Sequence, residues 1–317
     1  MKNDRDNETS HSKQPLLSPE KPPLSRLFVR DIMQVMEDLA PAGLAEPWDR
    51  IGLQLGDPAS RVDRVLIALD LTPAVLQEAC ARQANLVICH HPVIFSPIQT
   101  IRRDDPLQNL LIDALVDRIN VFVAHTNLDA APGGVADAWA AHLAGALITR
   151  ADPSDASDVA ADSDVSDVSG AAVQATALSE PEKITPFGRM IVLPGEHPLR
   201  AILSAVADSL PGSACQINQN RNCLVDRAVR RVAAFPGSFP LESLPELREA
   251  AVDTVICGEC KYHDGLTLAL AGISAISVGH DRSEQPVLTR LAEKLAERLP
   301  QIPFAVYSGM DYNKQAN

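Results

Sequence analysis

The sequence predicts an α/β fold made of two related layered domains, and three observations predict it. β-rich runs alternate with helical stretches along most of the chain. The run Val-Ile-Cys occurs twice, in N-L-V-I-C-H-H-P at 85–92 and in D-T-V-I-C-G-E-C at 253–260, each time passing directly into polar residues. Between the two copies, residues 151–170 hold six Asp and no Lys or Arg, which divides the chain into halves.

Residues 1–24 are polar and carry Pro15, Pro19, Pro22 and Pro23, which predicts a disordered tail. Residues 25–150 form the first α/β domain. Its strands are expected at Val62–Asp70, Asn85–Cys89 and Asn120–Ala124, with helices over 74–84 and 106–118. Both helix starts are marked: Thr72-Pro73 and Asp105-Pro106 each set a capping side chain before a proline at the first helical position, where a missing N–H costs nothing. Residues 151–180 are expected to be an acidic disordered linker. Its spaced Asp residues lack the fixed Gly and terminal Glu of a calcium loop. Residues 181–317 form the second α/β segment, its C-terminal part expected to pack back on the first domain. Strands are predicted at Met190–Leu193, Val229–Ala234, Val252–Cys257 and Ile273–Val278, and helices near 199–209, 243–251, 264–271 and 286–298.

With 317 residues, 46% hydrophobic and 22% charged, the composition is globular. A net charge of −13 argues against broad contact with nucleic acid or an anionic membrane and favours a small-molecule partner. No window approaches the roughly 18 to 20 apolar residues of a membrane span, and the N-terminus has no apolar signal core, so a cytoplasmic location is expected. Six cysteines in a chain of this length do not make a disulfide framework. Cys257-Gly258-Glu259-Cys260 has the form of a redox pair or of half a zinc site, but no second such pair exists, and reduced thiols are the simpler reading.

The two Val-Ile-Cys runs open two copies of one strand–helix–strand unit. After the first come His90 and His91, and the next strand ends in H-T-N-L-D; after the second come Gly258 and Glu259, and the next strand ends in H-D-R-S-E. His125 to Asp129 and His280 to Glu284 have the same spacing. Five of the eight histidines fall in these strand-end loops, His263 among them, together with Asp129, Glu259 and Glu284. A lone strand-end histidine is usually a loop residue with a hydrogen-bond partner. So many in so few loops point instead to a site for zinc, iron, manganese or a similar divalent ion. Because successive side chains of a strand point opposite ways, adjacent His90 and His91 suit two ions better than one.

The blocks W-D-R-I-G-L-Q-L-G-D (48–57), C-H-H-P-V-I-F (89–95), A-H-T-N-L-D-A-A-P-G-G-V-A-D (124–137), G-E-C-K-Y-H-D (258–264) and G-H-D-R-S-E (279–284) resemble the signature blocks of the GTP cyclohydrolase I type 2 homologues, the Nif-three-like dinuclear metal centre proteins. The resemblance runs from about residue 28 to 310. It implies the Nif-three-like fold, a toroidal homohexamer, and two divalent ions per subunit held by His90, His91, Asp129, His280 and Glu284. It places His125 and His263 beside the metals as proton-transfer groups. Arg50 stands where the family usually has Asn, and Asp281 and Arg282 where it has an aromatic and a small residue, which changes the charge near the site.

What the resemblance implies chemically is a hydrolase that uses a metal-activated water on a small-molecule substrate, a purine nucleotide by the family name. No G-x-x-x-x-G-K-[ST] loop independently specifies a triphosphate. The alternative is a hexameric metal-binding or regulatory interaction protein without turnover.

Overall fold

The computed structural model describes residues 26–149, 181–212, 215–217 and 227–309; the expected tail at 1–24 and linker at 151–180 lie outside the described residues. The chain opens with α1 (Val29–Leu39), where the Asp31 carboxylate accepts from the Phe28 N–H at 2.8 Å and Val29, Ile32 and Met36 form the buried stripe. Then follow β1 (Gly52–Leu55), β2 (Val65–Ala68), α2 (Pro73–Arg82), β3 (Leu86–Cys89), α3 (Pro106–Val116) and β4 (Asn120–Val123). The caps read from the sequence are made: Thr72 accepts from the Val75 N–H at 3.2 Å and Asp105 from the Gln108 N–H at 2.9 Å. α4 (Thr126–Ala130) and α5 (Val135–Thr149) complete this part.

The later part contains β5 (Glu182–Lys183), β6 (Arg189–Pro198), α6 (Leu199–Ser209), β7 (Gln216–Ile217), β8 (Ala228–Ser238), α7 (Leu244–Glu249), β9 (Thr254–Glu259), α8 (Tyr262–Leu270), β10 (Ser274–Ser277), α9 (His280–Arg298) and β11 (Phe304–Val306). α9 begins six residues before the expected start at 286. Pro286 therefore lies inside the helix instead of at its first position. α8 likewise starts at Tyr262, which puts His263 in its first turn.

The two sheets are built alike. One runs β1-β4-β3-β2-β11 and the other β5-β6-β8-β9-β10-β7. In each, three parallel strands (β2, β3, β4; β8, β9, β10) are flanked by an antiparallel strand that precedes them in the chain (β1; β7). The parallel strands β2, β3 and β4 are buried throughout, as expected where helices cover both faces. The repeated unit extends to single hydrogen bonds. Asn120 donates to the Asn85 carbonyl at 3.0 Å and Ser274 to the Asp253 carbonyl at 3.0 Å; Ala124 donates to Cys89 at 3.0 Å and Val278 to Cys257 at 3.0 Å.

Beyond those bonds the copies slip by one residue. His125 follows Ala124 directly, whereas Gly279, at φ +109°, stands between Val278 and His280. By backbone position His280 therefore matches Thr126, the first residue of α4, and not His125. The equal spacing of the two histidine–carboxylate pairs is a coincidence of side chains and not of register.

α5 and α9 pack against each other. Val287, Leu288, Leu291 and Leu295 of α9 share a core with Val65, Ile67, Leu86 and Ile88 of the first sheet. Trp139, Ala140 and Leu143 of α5 share another with Val232, Ala234 and Ile256 of the second. α9 also packs on β8, β9, β2 and β11. Its N-terminus is thereby carried to the carboxyl ends of strands from both sheets, where α/β folds place their chemistry.

Candidate metal centre

His90 and His91 directly follow β3 in a bend, where their N–H groups donate to the carbonyls of Ala68 at 3.1 Å and Leu69 at 2.8 Å. Their rings, 4.9 Å apart, reach different oxygens of one carboxylate. His90 Nε2 is 3.7 Å from Glu284 Oε1, and His91 Nε2 is 3.0 Å from Glu284 Oε2. His280, one turn before Glu284 on α9, sets its own Nε2 3.2 Å from Oε1. Asp129 on α4 brings Oδ1 to 3.5 Å from His90 Nε2. The five residues that the family resemblance implies as ligands thus form one cluster, drawn from the bend after β3, from α4 and from α9. His125 joins it: a ring nitrogen of His125 lies within 4.8 Å of ring nitrogens of His90 and His91, and a second group unites His91, His280 and Glu284 on the same criterion.

The outer nitrogens are all occupied by oxygen partners. Nδ1 of His90 faces the Ala124 carbonyl at 2.9 Å, that of His91 faces Asp70 at 2.9 Å, that of His125 faces Asp49 at 2.8 Å and that of His280 faces Glu259 at 3.2 Å. Each Nδ1 is a donor in the neutral tautomer, which leaves Nε2 as a lone pair. Asp49 is itself fixed, accepting from the Thr126 N–H at 3.0 Å and the Arg50 N–H at 2.7 Å. Nε2 of His90 and His91, Oδ1 of Asp129 and Oε2 of Glu284 are buried without a hydrogen-bond partner. Lone pairs facing one another across about 3 Å are repulsive unless a proton or a cation lies between them. Imidazole nitrogens with two carboxylates are the donor set of zinc, iron or manganese, so the residues fit such ions.

Without an ion, protons take that place. Burial opposes charge on His91, but the hydrogen bonds that its protonated ring donates to Asp70 and Glu284 outweigh it and push its pKa up to about 10. The hydrogen bond to Glu284 likewise holds His280 up at about 9. Burial raises Asp129 to about 7, whereas Glu284 falls well below the usual range because the imidazoles of His90, His280 and His91 overcome its burial. Burial and the neighbouring His90 lower His125.

Two glycines make room. Gly237, at φ +59°, is the last buried residue of β8; a Cβ there would stand 2.5 Å from Glu284 Oε1 and 3.4 Å from His280 Nε2. A Cβ on Gly258 would meet Ser283 Oγ at 2.5 Å. That hydroxyl accepts from the Gly237 N–H at 2.9 Å and donates to the His280 carbonyl at 2.7 Å, tying the end of β8 to the first turn of α9. His263 stands apart: exposed on α8, its ring lies against Tyr262 at 5.3 Å. Cys257 is buried and Cys260 partly so, both as free thiols. Asp70, Asp49 and Gly237 had no assigned role in the sequence reading. Asp70 carried a signal, because it ends the apolar run Val65–Leu69 just as His90 ends Leu86–Cys89. Gly237 carried none.

A family described as Duf34/NIF3 (NGG1p interacting factor 3) matches residues 27–311. A protein of Clostridium perfringens named GTP cyclohydrolase 1 type 2 homolog is 28% identical over 271 residues, covering 86% of this chain and 92% of that one. Its namesake in Clostridium acetobutylicum is 30% identical over 270 residues, 85% and 90% of the two chains. The crystal structure of a Bacillus cereus protein related to NIF3 superposes with a TM-score of 0.71 over 91% of this chain and 98% of that one, at 20% identity, a likeness of fold.

Proposed function

The chain belongs to the Duf34/NIF3 family, and from that premise we propose that it is a metal-dependent hydrolase with two divalent ions per subunit. The observation that carries the reading is the convergence of four buried, unpartnered donor atoms from His90, His91, Asp129 and Glu284. His90, His91, Asp129, His280 and Glu284 hold the ions, which are zinc, iron or manganese. Glu284 is the shared ligand, because its two oxygens face different histidines. Bound there, the ions supply Lewis acidity, which polarises the scissile group and makes water nucleophilic near neutral pH.

His125 is the proton-transfer group. Asp49 holds its Nδ1–H, so Nε2 can accept a proton from water and return it to the leaving atom. His263 is the more remote candidate for the same work. The name of the relatives supports a purine nucleotide as substrate, opened at its ring. The resemblance further supports a homohexamer, and none of the described helices is long and apolar enough to cross a membrane.

The second reading, a metal-binding or regulatory interaction protein, draws on the family description, which names an interaction. Exposure favours the enzyme. The His280 side chain is 38% exposed and that of His91 21%, so a substrate can reach the cluster from their side. The test is to load the protein with each metal, count ions by elemental analysis, and screen nucleotides, phosphoesters and cyclic amides for hydrolysis. Metal-dependent turnover abolished by Glu284→Gln is expected. Full metal content with no turnover across the screen would overturn the hydrolase.

A further inference from the structure

We propose that Trp48 and Phe95 form a stacking platform beside the metal centre, and that the substrate carries a planar nitrogen heterocycle that lies on it. Both side chains are 52% exposed in a chain with only 4% aromatic residues. Water contact with so much aromatic surface is unfavourable unless something covers it. Their rings stand 6.0 Å apart at 55°, and Trp48 meets His125 edge-on at 6.2 Å and 72°. His125 in turn lies 5.2 Å from His90 and 5.7 Å from His91. A flat ring resting on Trp48 is therefore one imidazole away from the proposed ligands.

The platform is held in place from both sides. Trp48 directly precedes Asp49, whose carboxylate is fixed by Thr126 and His125. Phe95 follows Ile94, whose N–H donates to Gln54 Oε1 at 2.8 Å and whose carbonyl accepts from Gln54 Nε2 at 3.3 Å. Through Gln54 of β1, the loop after His91 is thus fastened to the edge of the first sheet. Backbones anchored this way present ring faces at little ordering cost, and stacking on Trp selects a ligand with a π-face over a sugar or an aliphatic amide. What happens to the ring rests on the hydrolase reading, but the stacking does not.

The experiment separates the two. The chain has two tryptophans, half-exposed Trp48 and fully buried Trp139, so quenching of red-edge emission reports on Trp48. In chelator-treated protein, guanosine should quench saturably while ribose does not. By equilibrium dialysis, Trp48→Leu should weaken guanosine binding about tenfold, the scale of one base–aromatic stack, and Phe95→Leu by less, with metal content unchanged in both. Unchanged guanosine affinity in Trp48→Leu, or equal competition by ribose, would overturn the platform. So would a Trp48 already shielded from acrylamide in the free protein together with a smaller particle mass for Trp48→Leu, since a second copy of the chain would then be the cover. Guanosine stacking without any hydrolysis would sink the hydrolase alone; turnover of a substrate with no aromatic ring would sink the platform alone.

Discussion

Nε2 of His91 stands 3.0 Å from Oε2 of Glu284, and with its Nδ1–H committed to Asp70 the neutral ring has no hydrogen to offer across that gap. A cation would resolve this contact and the two like it around Glu284, those of His90 and His280. Glu284→Gln should therefore cost both ions together, whereas His90→Ala and His91→Ala should each weaken mainly one. Asp70→Asn should lower metal affinity by about 10- to 100-fold while leaving every ligand in place. Elemental analysis after gel filtration decides; full occupancy in Glu284→Gln would end the shared-ligand assignment.

Removing metal should reverse the pH dependence of stability. His91 and His280 rise from 6.5 to about 10 and about 9, so the folded metal-free chain holds protons that the unfolded chain releases. That contribution is complete below about pH 6.5 and is lost as pH rises through about 9 to 10. Asp129, raised to about 7, acts in the same direction at lower pH. Glu284, depressed, stabilises above its usual 4.5 and loses this as pH falls. With chelator present, Tm should peak in mildly acidic buffer and decline towards pH 10. Zinc should raise Tm more as pH increases, because neutral imidazoles bind it. Parallel melting curves with and without metal would contradict this.

Gly237→Ala tests the space beside Glu284. Its φ of +59° strains any residue with a Cβ by about 1 kcal/mol, and the added methyl would displace Glu284 Oε1. We expect a folded protein, slightly less stable, that has lost most of its metal affinity. Retention of both ions would show that Glu284 has room to move.

What the sequence made legible was local. α6 was read to the residue, and α2 and α3 were marked by cap and proline. The repeated unit was visible because two β-rich runs share three letters. α5 was missed because Val135, Ala136, Ala138, Trp139, Ala140 and Leu143 are all buried, so the helix has no polar face and no period to detect. α9 begins six residues before the expected start, directly after Gly279 at its N-cap, a position with no side chain to mark it. The ligands could be named from the blocks that contain them. Asp49 lies in one of those blocks and Asp70 ends an apolar run, but their pairing with His125 and His91, like that of Gly237 with Glu284, spans a long stretch of sequence and is not legible in it.

His125→Ala should cut turnover by about 100-fold or more with metal content nearly unchanged, because it removes a proton carrier and no ligand. His263→Ala, at a more remote and exposed position, should reduce turnover by less, again with metal content unchanged. Loss of metal in His125→Ala would make it a ligand, as its place in the His90–His91–His125 group allows.

β11 joins the first sheet beside β2, with Phe304 opposite Val65 and Val306 opposite Ile67. That strand is among the last described residues to leave the ribosome, yet it finishes a sheet whose other strands were made roughly 180 to 250 residues earlier. His280 and Glu284 emerge only shortly before it. During synthesis, then, His90, His91 and Asp129 stand without His280 and Glu284, and the candidate cluster is complete only once α9 has formed.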